Sequence, residues 1–176
     1  MLFTKLVSKV LANRLQKFLP LFILENQSAF QVGRVITNNI LMAFETFHFM
    51  KHQHSGKLGF MVLKFDMSKA YDRLEWFFLE LLLRRMGFHE TWVALMMECI
   101  TTVSYFLLIN GEPTSTIKPT RGIRQGDPLS PYLFFLCIEG LHGLLNKATT
   151  AGSIKGVSIC RNGPWLTHLF FTDDIL

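Results

Sequence analysis

The residues best suited to chemistry stand in the stretch Leu169-Phe170-Phe171-Thr172-Asp173-Asp174-Ile175-Leu176, where two adjacent carboxylates follow an apolar run. Consecutive side chains on a strand point to opposite faces, so both aspartates reach one cation only where the backbone turns. Hard divalent cations take several oxygen ligands, which calls for a third carboxylate in a similar setting. Asp66 supplies it, closing the apolar run Phe60-Met61-Val62-Leu63-Lys64-Phe65. Taken alone, either site reads equally well as a solvated acidic turn after a strand. If the two strands are neighbours in one sheet, three like charges share an edge and need counter-charge, which divalent cations supply. Two such cations about 3.5–4 Å apart clamp the attacking and leaving oxygens of an in-line phosphoryl displacement. That is polymerase or nuclease chemistry.

Composition narrows the class. The 176 residues, 49% apolar with 17 Phe, suffice for one domain with a sizeable core and argue against disorder. No apolar run reaches the roughly 18 residues of a membrane span; the longest, around Leu133 to Leu145, contains Glu139 and His142. The N-terminal residues show no signal peptide. Cys99, Cys137 and Cys160 are few, odd in number and widely spaced, which fits a reducing compartment and neither a disulfide framework nor a zinc site. A formal net charge of +5 suits a polyanionic partner without requiring one.

The elements that must position the carboxylates follow from periodicity. Leu6, Val10, Leu11, Leu15, Phe18 and Leu19 predict a helix over 4–19, ended by Pro20. Residues 25–34 read as an ordered loop. A second helix is expected from Thr37, as cap, through Ile40, Leu41, Phe44 and Phe47 to about Lys51. His48, His52 and His54 cluster there; the spacing of 48 and 52 would suit two metal ligands, but with no matching carboxylate they read as surface histidines. Phe60 to Phe65 reads as a buried strand, and Asp72-Arg73-Leu74-Glu75 as a capping box for a helix that buries Trp76, Phe77, Leu79 and Leu83 and ends at Gly87. A helix from Glu90 to about Ile100 precedes a hairpin turning at Asn110-Gly111, with strands 103–109 and 115–117. Pro131 opens a long apolar helix. Strands over 156–160 and 165–171 follow, the second delivering Asp173 and Asp174. The order is that of an α+β fold.

The loop Arg121-Gly122-Ile123-Arg124-Gln125-Gly126-Asp127-Pro128-Leu129-Ser130-Pro131 changes the weight of these features. Together with Phe65-Asp66-Met67-Ser68-Lys69-Ala70-Tyr71-Asp72-Arg73 and Phe171-Thr172-Asp173-Asp174, it resembles the reverse transcriptase family. More narrowly, the chain is similar to the non-LTR (LINE-type) retrotransposon enzymes of flowering plants. Ser8-Lys9-Val10-Leu11-Ala12-Asn13-Arg14-Leu15, Asn26-Gln27-Ser28-Ala29-Phe30 and Asn110-Gly111 fit the same group. A group II intron maturase shares the Gln-Gly motif, but the first two of these blocks argue against it. The resemblance implies a partial right-hand polymerase fold, with incomplete fingers over about 1–58, palm over about 59–176 and no thumb. It implies that Asp66, Asp173 and Asp174 hold two Mg2+ ions, with Mn2+ an alternative, to join a deoxynucleoside triphosphate to a DNA primer on an RNA template. Tyr71 would exclude a 2′ hydroxyl, and Gln125 and Gly126 would contact nucleotide and template. Arg34, Arg121 and Arg124 are candidate nucleic-acid contacts, although Arg121 and Arg124 read equally well as solvated. Lys69 acquires no role. A nuclear site of action is implied for a working element, with no basic import signal in view.

Relative to the family pattern, a basic finger block is expected upstream of Met1. A returning strand, the rest of the palm and a thumb are expected downstream of Leu176, and an endonuclease segment further upstream. Thr172 and Val32 also depart mildly from the pattern. The chain therefore reads as truncated at both ends, with an exposed sheet edge, and the isolated 176 residues are expected not to polymerise. The alternative is a non-catalytic retroelement remnant, at most a nonspecific nucleic-acid binder.

Overall fold

Ser8, Leu11, Ala12, Leu15 and Leu19 lie at helical spacing, and this stripe is what α1 (Leu2–Phe18) and the 3-10 turn after it (Leu19–Leu21) bury. The computed structural model describes residues 2–22, 36–53, 59–160, 163, 165–171 and 174–176. The loop over 25–34, including Arg34, lies outside them, as do His54, Thr172 and Asp173. Leu6, Val10 and Phe18, expected on the buried face of α1, are exposed. The chain divides into two compact units, Met1–Phe22 with Lys69–Ile138, and Ile23–Ser68 with Glu139–Leu176. Its helices and short strands are a mixed α and β set.

In the first unit, α5 (Glu90–Thr101) packs against both α1 and α4 (Trp76–Arg85). Leu79 and Leu83 of α4 and Val93, Met96 and Ile100 of α5 are buried. Gly87, at φ +84°, ends α4 as expected: its N–H donates to the Arg84 carbonyl and that of Phe88 to the Leu83 carbonyl, closing the last turn. Phe88 then stacks on Phe22 at 5.1 Å. Asp72 does not cap α4. It sits inside the single turn α3 (Ala70–Arg73), and Leu74, extended and buried, separates that turn from the helix. Phe77 is 79% exposed because its position on α4 faces away from the Leu79–Leu83 stripe. The Asn110-Gly111 turn forms as expected, with φ of +51° and +89°, but the strands expected over 103–109 and 115–117 narrow to β2 (Leu108–Ile109) and β3 (Glu112–Pro113), with one further bridge from Tyr105 to Ile117.

In the second unit, α2 (Ile36–His52) buries Asn39, Ala43 and Thr46, while Ile40, Leu41, Phe44 and Phe47 are exposed. This inverts the expected face. Small and polar residues allow close approach to β4 (Phe170–Phe171), where Asn39 Nδ2 donates to the Phe170 carbonyl at 3.1 Å. Thr37 is a helical residue of α2, not its cap. His48 and His52 are exposed, as their surface reading requires. The expected buried strand over 60–65 narrows to β1 (Phe65–Asp66), and Phe60 to Phe65 are exposed. Among the described residues β1 is an edge strand, paired on one side. The strands expected over 156–160 and 165–171 reduce to a Val157–Leu166 bridge and β4. The long helix α6 (Ser130–Thr150) begins one residue before Pro131.

Two buried histidines link α6 to the segment leading into β4. His142 Nδ1 lies 2.6 Å from His168 Nε2, His142 Nε2 lies 2.7 Å from Asn146 Nδ2, and His168 Nδ1 lies 2.8 Å from Thr167 Oγ1. With the Asn146 amide N–H donating to Nε2, each ring donates from Nδ1 to the next acceptor, so both rings are neutral. Burial pushes both below the ordinary 6.5; for His168, burial and then the neighbouring His142 bring the value to about 4. The unfolded chain therefore binds more protons than the folded one between those values. The stability contribution is complete above pH 6.5 and is lost as pH falls towards 4. Thermal unfolding between pH 6.5 and 5 is expected to show a midpoint that drops with acid, and His168→Gln to flatten that slope.

Candidate active site

The second unit holds a three-stranded antiparallel sheet, in the order β1, β5 (Asp174–Ile175), β4. Phe65 faces Ile175 and Asp66 faces Asp174 across one ladder; Phe170 faces Ile175 and Phe171 faces Asp174 across the other. Paired bonds between Leu169 and Leu176, at 2.8 and 3.0 Å, continue the β4–β5 ladder. Directly opposed residues project from the same face, with β-carbons about 4.5–5.5 Å apart. Asp66 and Asp174 thus share one face. Phe65, Ile175 and Phe170 occupy the other, where Ile175 and Phe170 are buried. The apolar side anchors the sheet and leaves the carboxylates accessible.

This geometry corrects one expectation. The returning strand, thought to lie beyond Leu176, begins at Asp174, and β1 pairs with this strand, not with β4. β5 is central because β4 pairs along one side of it, with residue 171 opposite 174, and β1 along the other. Asp173, the third expected carboxylate, lies outside the described residues. Among the described residues no group of three or more possible metal ligands occurs. Two opposed carboxylates nonetheless fit the oxygen donors that a hard divalent cation takes. Lys64, not among the residues expected at the site, places its Nζ 3.1 Å from Asp174 Oδ1. The signal was its position two residues before Asp66, hence on the same strand face.

The first unit gathers the other expected residues around one loop. Gly122 N–H donates to the Leu74 carbonyl at 2.7 Å and Ile123 N–H to the Tyr71 carbonyl at 2.9 Å. Trp76 Nε1 donates to the Gly122 carbonyl at 2.7 Å. Gly122 has φ +88°, and a Cβ there would stand 2.9 Å from the Asp72 carbonyl oxygen. These contacts tie loop 121–124 to the segment bearing Tyr71, whose ring stacks on Phe134 at 4.9 Å. Trp76 and Gly122 were not singled out from sequence, because their partner lies 46 positions away. Gln125 and Gly126 are exposed, and Gly126 has φ +79° with open space at its Cβ position. Asp127 Oδ1 accepts from Leu129 N–H at 2.9 Å, just ahead of α6. Arg121 is ion-paired to Glu75 at 3.3 Å, and Arg121 and Arg124 line a cavity of about 220 Å3 together with Asp72 and Asp127. Lys5 lines it too, so three cationic side chains stand against two carboxylates there. All three cysteines are free thiols, and burial pushes Cys137 up to about 12, so it stays protonated.

A sequence profile for reverse transcriptase (RNA-dependent DNA polymerase) matches residues 1–176. The chain belongs to the reverse transcriptase family. Relatives of this reverse transcriptase chain include the 149 kDa protein of transposon TX1 from Xenopus laevis, 30% identical over 151 residues. Another is a Pol polyprotein from the type-1 retrotransposable element R2 of Popillia japonica, 27% identical over 129 residues. These alignments cover 86% and 73% of the chain but only 11% and 20% of the relatives. An uncharacterised mitochondrial protein of Arabidopsis thaliana is 51% identical over 67 residues, 38% of the chain and 55% of that protein. The chain thus spans from about a tenth to about half the length of these curated relatives. The retroelement relatives bear out the LINE-type resemblance.

The lock between loop and turn has a measurable consequence. Gly122→Ala combines a left-handed φ with a backbone clash and is expected to cost about 1–3 kcal/mol in urea unfolding. Gly126→Ala, strained in φ but meeting no atom, is expected to cost less in the same measurement.

Proposed function

We propose that the chain is the nucleotidyl-transfer part of an RNA-directed DNA polymerase from a LINE-type retroelement, built on a partial right-hand polymerase fold with fingers and palm. The observation that carries this reading is the register that puts Asp66 opposite Asp174 on one accessible sheet face. Asp66 and Asp174, with Asp173, would hold two Mg2+ ions, which supply the counter-charge for in-line transfer from a deoxynucleoside triphosphate to a primer hydroxyl. The chain's own contribution is position. Apolar Phe170 and Ile175 fix the back of the sheet, so that the two carboxylates approach from neighbouring strands. Tyr71, held by the Phe134 stack and by the Ile123 N–H on its carbonyl, would act as a steric bar to a 2′ hydroxyl. Gln125 and the open Gly126 would meet nucleotide and template, and Arg34, Arg121 and Arg124 the nucleic-acid backbone. The fingers would correspond to about 1–58 and the palm to about 59–176. The match to an Arabidopsis protein is what supports the plant side of the kinship. Among the described residues no helix is long and apolar enough to cross a membrane.

The test is Mg2+-dependent addition of a deoxynucleotide to a primed RNA template by a full-length retroelement polyprotein carrying these 176 residues. Asp66→Ala or Asp174→Ala is expected to lower the rate by at least about a thousandfold, the order of a lost transition-state contact to a developing charge. Addition that survives both substitutions contradicts the proposal. RNA binding with no addition by any form, wild type included, supports the non-catalytic alternative. In the same assay Tyr71→Ala is expected to raise ribonucleotide incorporation relative to deoxynucleotide by about tenfold or more, as a lost steric bar of 1–3 kcal/mol would.

A further inference from the structure

We propose that Lys64 is a built-in counter-cation of the carboxylate pair, one that a divalent metal ion must displace from Asp174; this rests on the metal-site reading of Asp66 and Asp174. Lys64 precedes Asp66 by two residues, so the pleat places both on one face of the chain leading through β1. Asp174 stands opposite Asp66, which puts Lys64 diagonal to Asp174 and within reach of a long side chain. The reach is realised: Nζ and Oδ1 are 3.1 Å apart.

The pair answers an electrostatic need. Two carboxylates carried on β-carbons about 5 Å apart repel, and the ammonium relieves that repulsion on the Asp174 side. A metal ion bonds a carboxylate oxygen at about 2.1 Å. An ammonium on the same oxygen would set two positive charges within a few ångströms of each other. Occupation of Asp174 Oδ1 is therefore exclusive: when the metal binds, Lys64 leaves. Binding is then an exchange of one cation for another, and the protein's apparent affinity for metal is set partly by the ion pair it must break. The side chains are 59% and 36% exposed, so the exchange is mild. An exposed pair accounts for about two- to fivefold in affinity.

The experiment is Mn2+ binding to the 176-residue chain, followed by loss of the free-ion EPR signal, in wild type and four variants. Lys64→Met is expected to tighten Mn2+ binding about two- to fivefold. Lys64→Arg, which keeps a cation on the same strand face, is expected to stay near wild type. Lys155→Met removes the same net charge from an exposed residue outside any ion pair found among the described residues, and is expected to leave affinity unchanged. Asp66→Asn is expected to weaken binding by about tenfold or more, since loss of even an outer-shell partner of a metal ligand costs about 10–100-fold. Unchanged or weaker binding by Lys64→Met, or equal tightening by Lys155→Met, overturns the role of Lys64 while the metal site stands. If Asp66→Asn leaves affinity unchanged, the metal-site reading itself fails.

Discussion

The antiparallel pairing of Phe65–Asp66 with Asp174–Ile175 is the constraint on which the rest of the site depends. A shift of this register by one residue would turn every side chain of β1 to the opposite face. Asp66 would then take the place of Phe65, beside buried Phe170 and Ile175, and would no longer stand opposite Asp174. The apolar row behind the sheet thus selects the register, and the register creates the carboxylate pair. Asn39 reinforces the arrangement from α2 by satisfying the Phe170 carbonyl.

A second constraint, independent of the first, holds the loop over 121–126. Its backbone is tied to the turn bearing Tyr71 by two main-chain hydrogen bonds and by the Trp76 indole, at a glycine where no side chain fits. A loop fixed in this way holds Gln125 and Gly126 exposed on an ordered backbone; for the nucleotide contact proposed above, that order would lower the entropic penalty of binding. The two constraints have one character: each sets polar groups facing solvent by packing something apolar or sterically exacting behind them.

What sequence reasoning captured was local. The Asn110-Gly111 turn, the stop at Gly87 and the bounds of α5 depend on residues within one or two turns of each other, and they form where expected. The motifs around Asp66, Tyr71 and Gln125 were also legible, because residue type and order carry them. What failed was non-local. Phe60 to Phe65 reads as a core strand from apolarity alone, but apolarity does not supply a covering layer, and among the described residues β1 pairs with β5 alone. α2 turned its small and polar stripe inward because Asn39 meets a carbonyl far away in sequence. Asp174, expected just past the end of the strand over 165–171, itself starts the next strand. Lys64 could be placed on the Asp66 face by counting, but its partner becomes visible only once β5 lies beside β1.

The measurement that bears most directly on the central claim is the anomalous diffraction of Mn2+ in crystals of the chain. The account predicts a peak bridging the Asp66 and Asp174 carboxylates at about 2.1 Å from an oxygen of each, the length of a hard-cation bond, with the Lys64 ammonium moved off Asp174. Mn2+ bound elsewhere, or Lys64 still seated on Asp174 beside a vacant carboxylate pair at saturating metal, would contradict it.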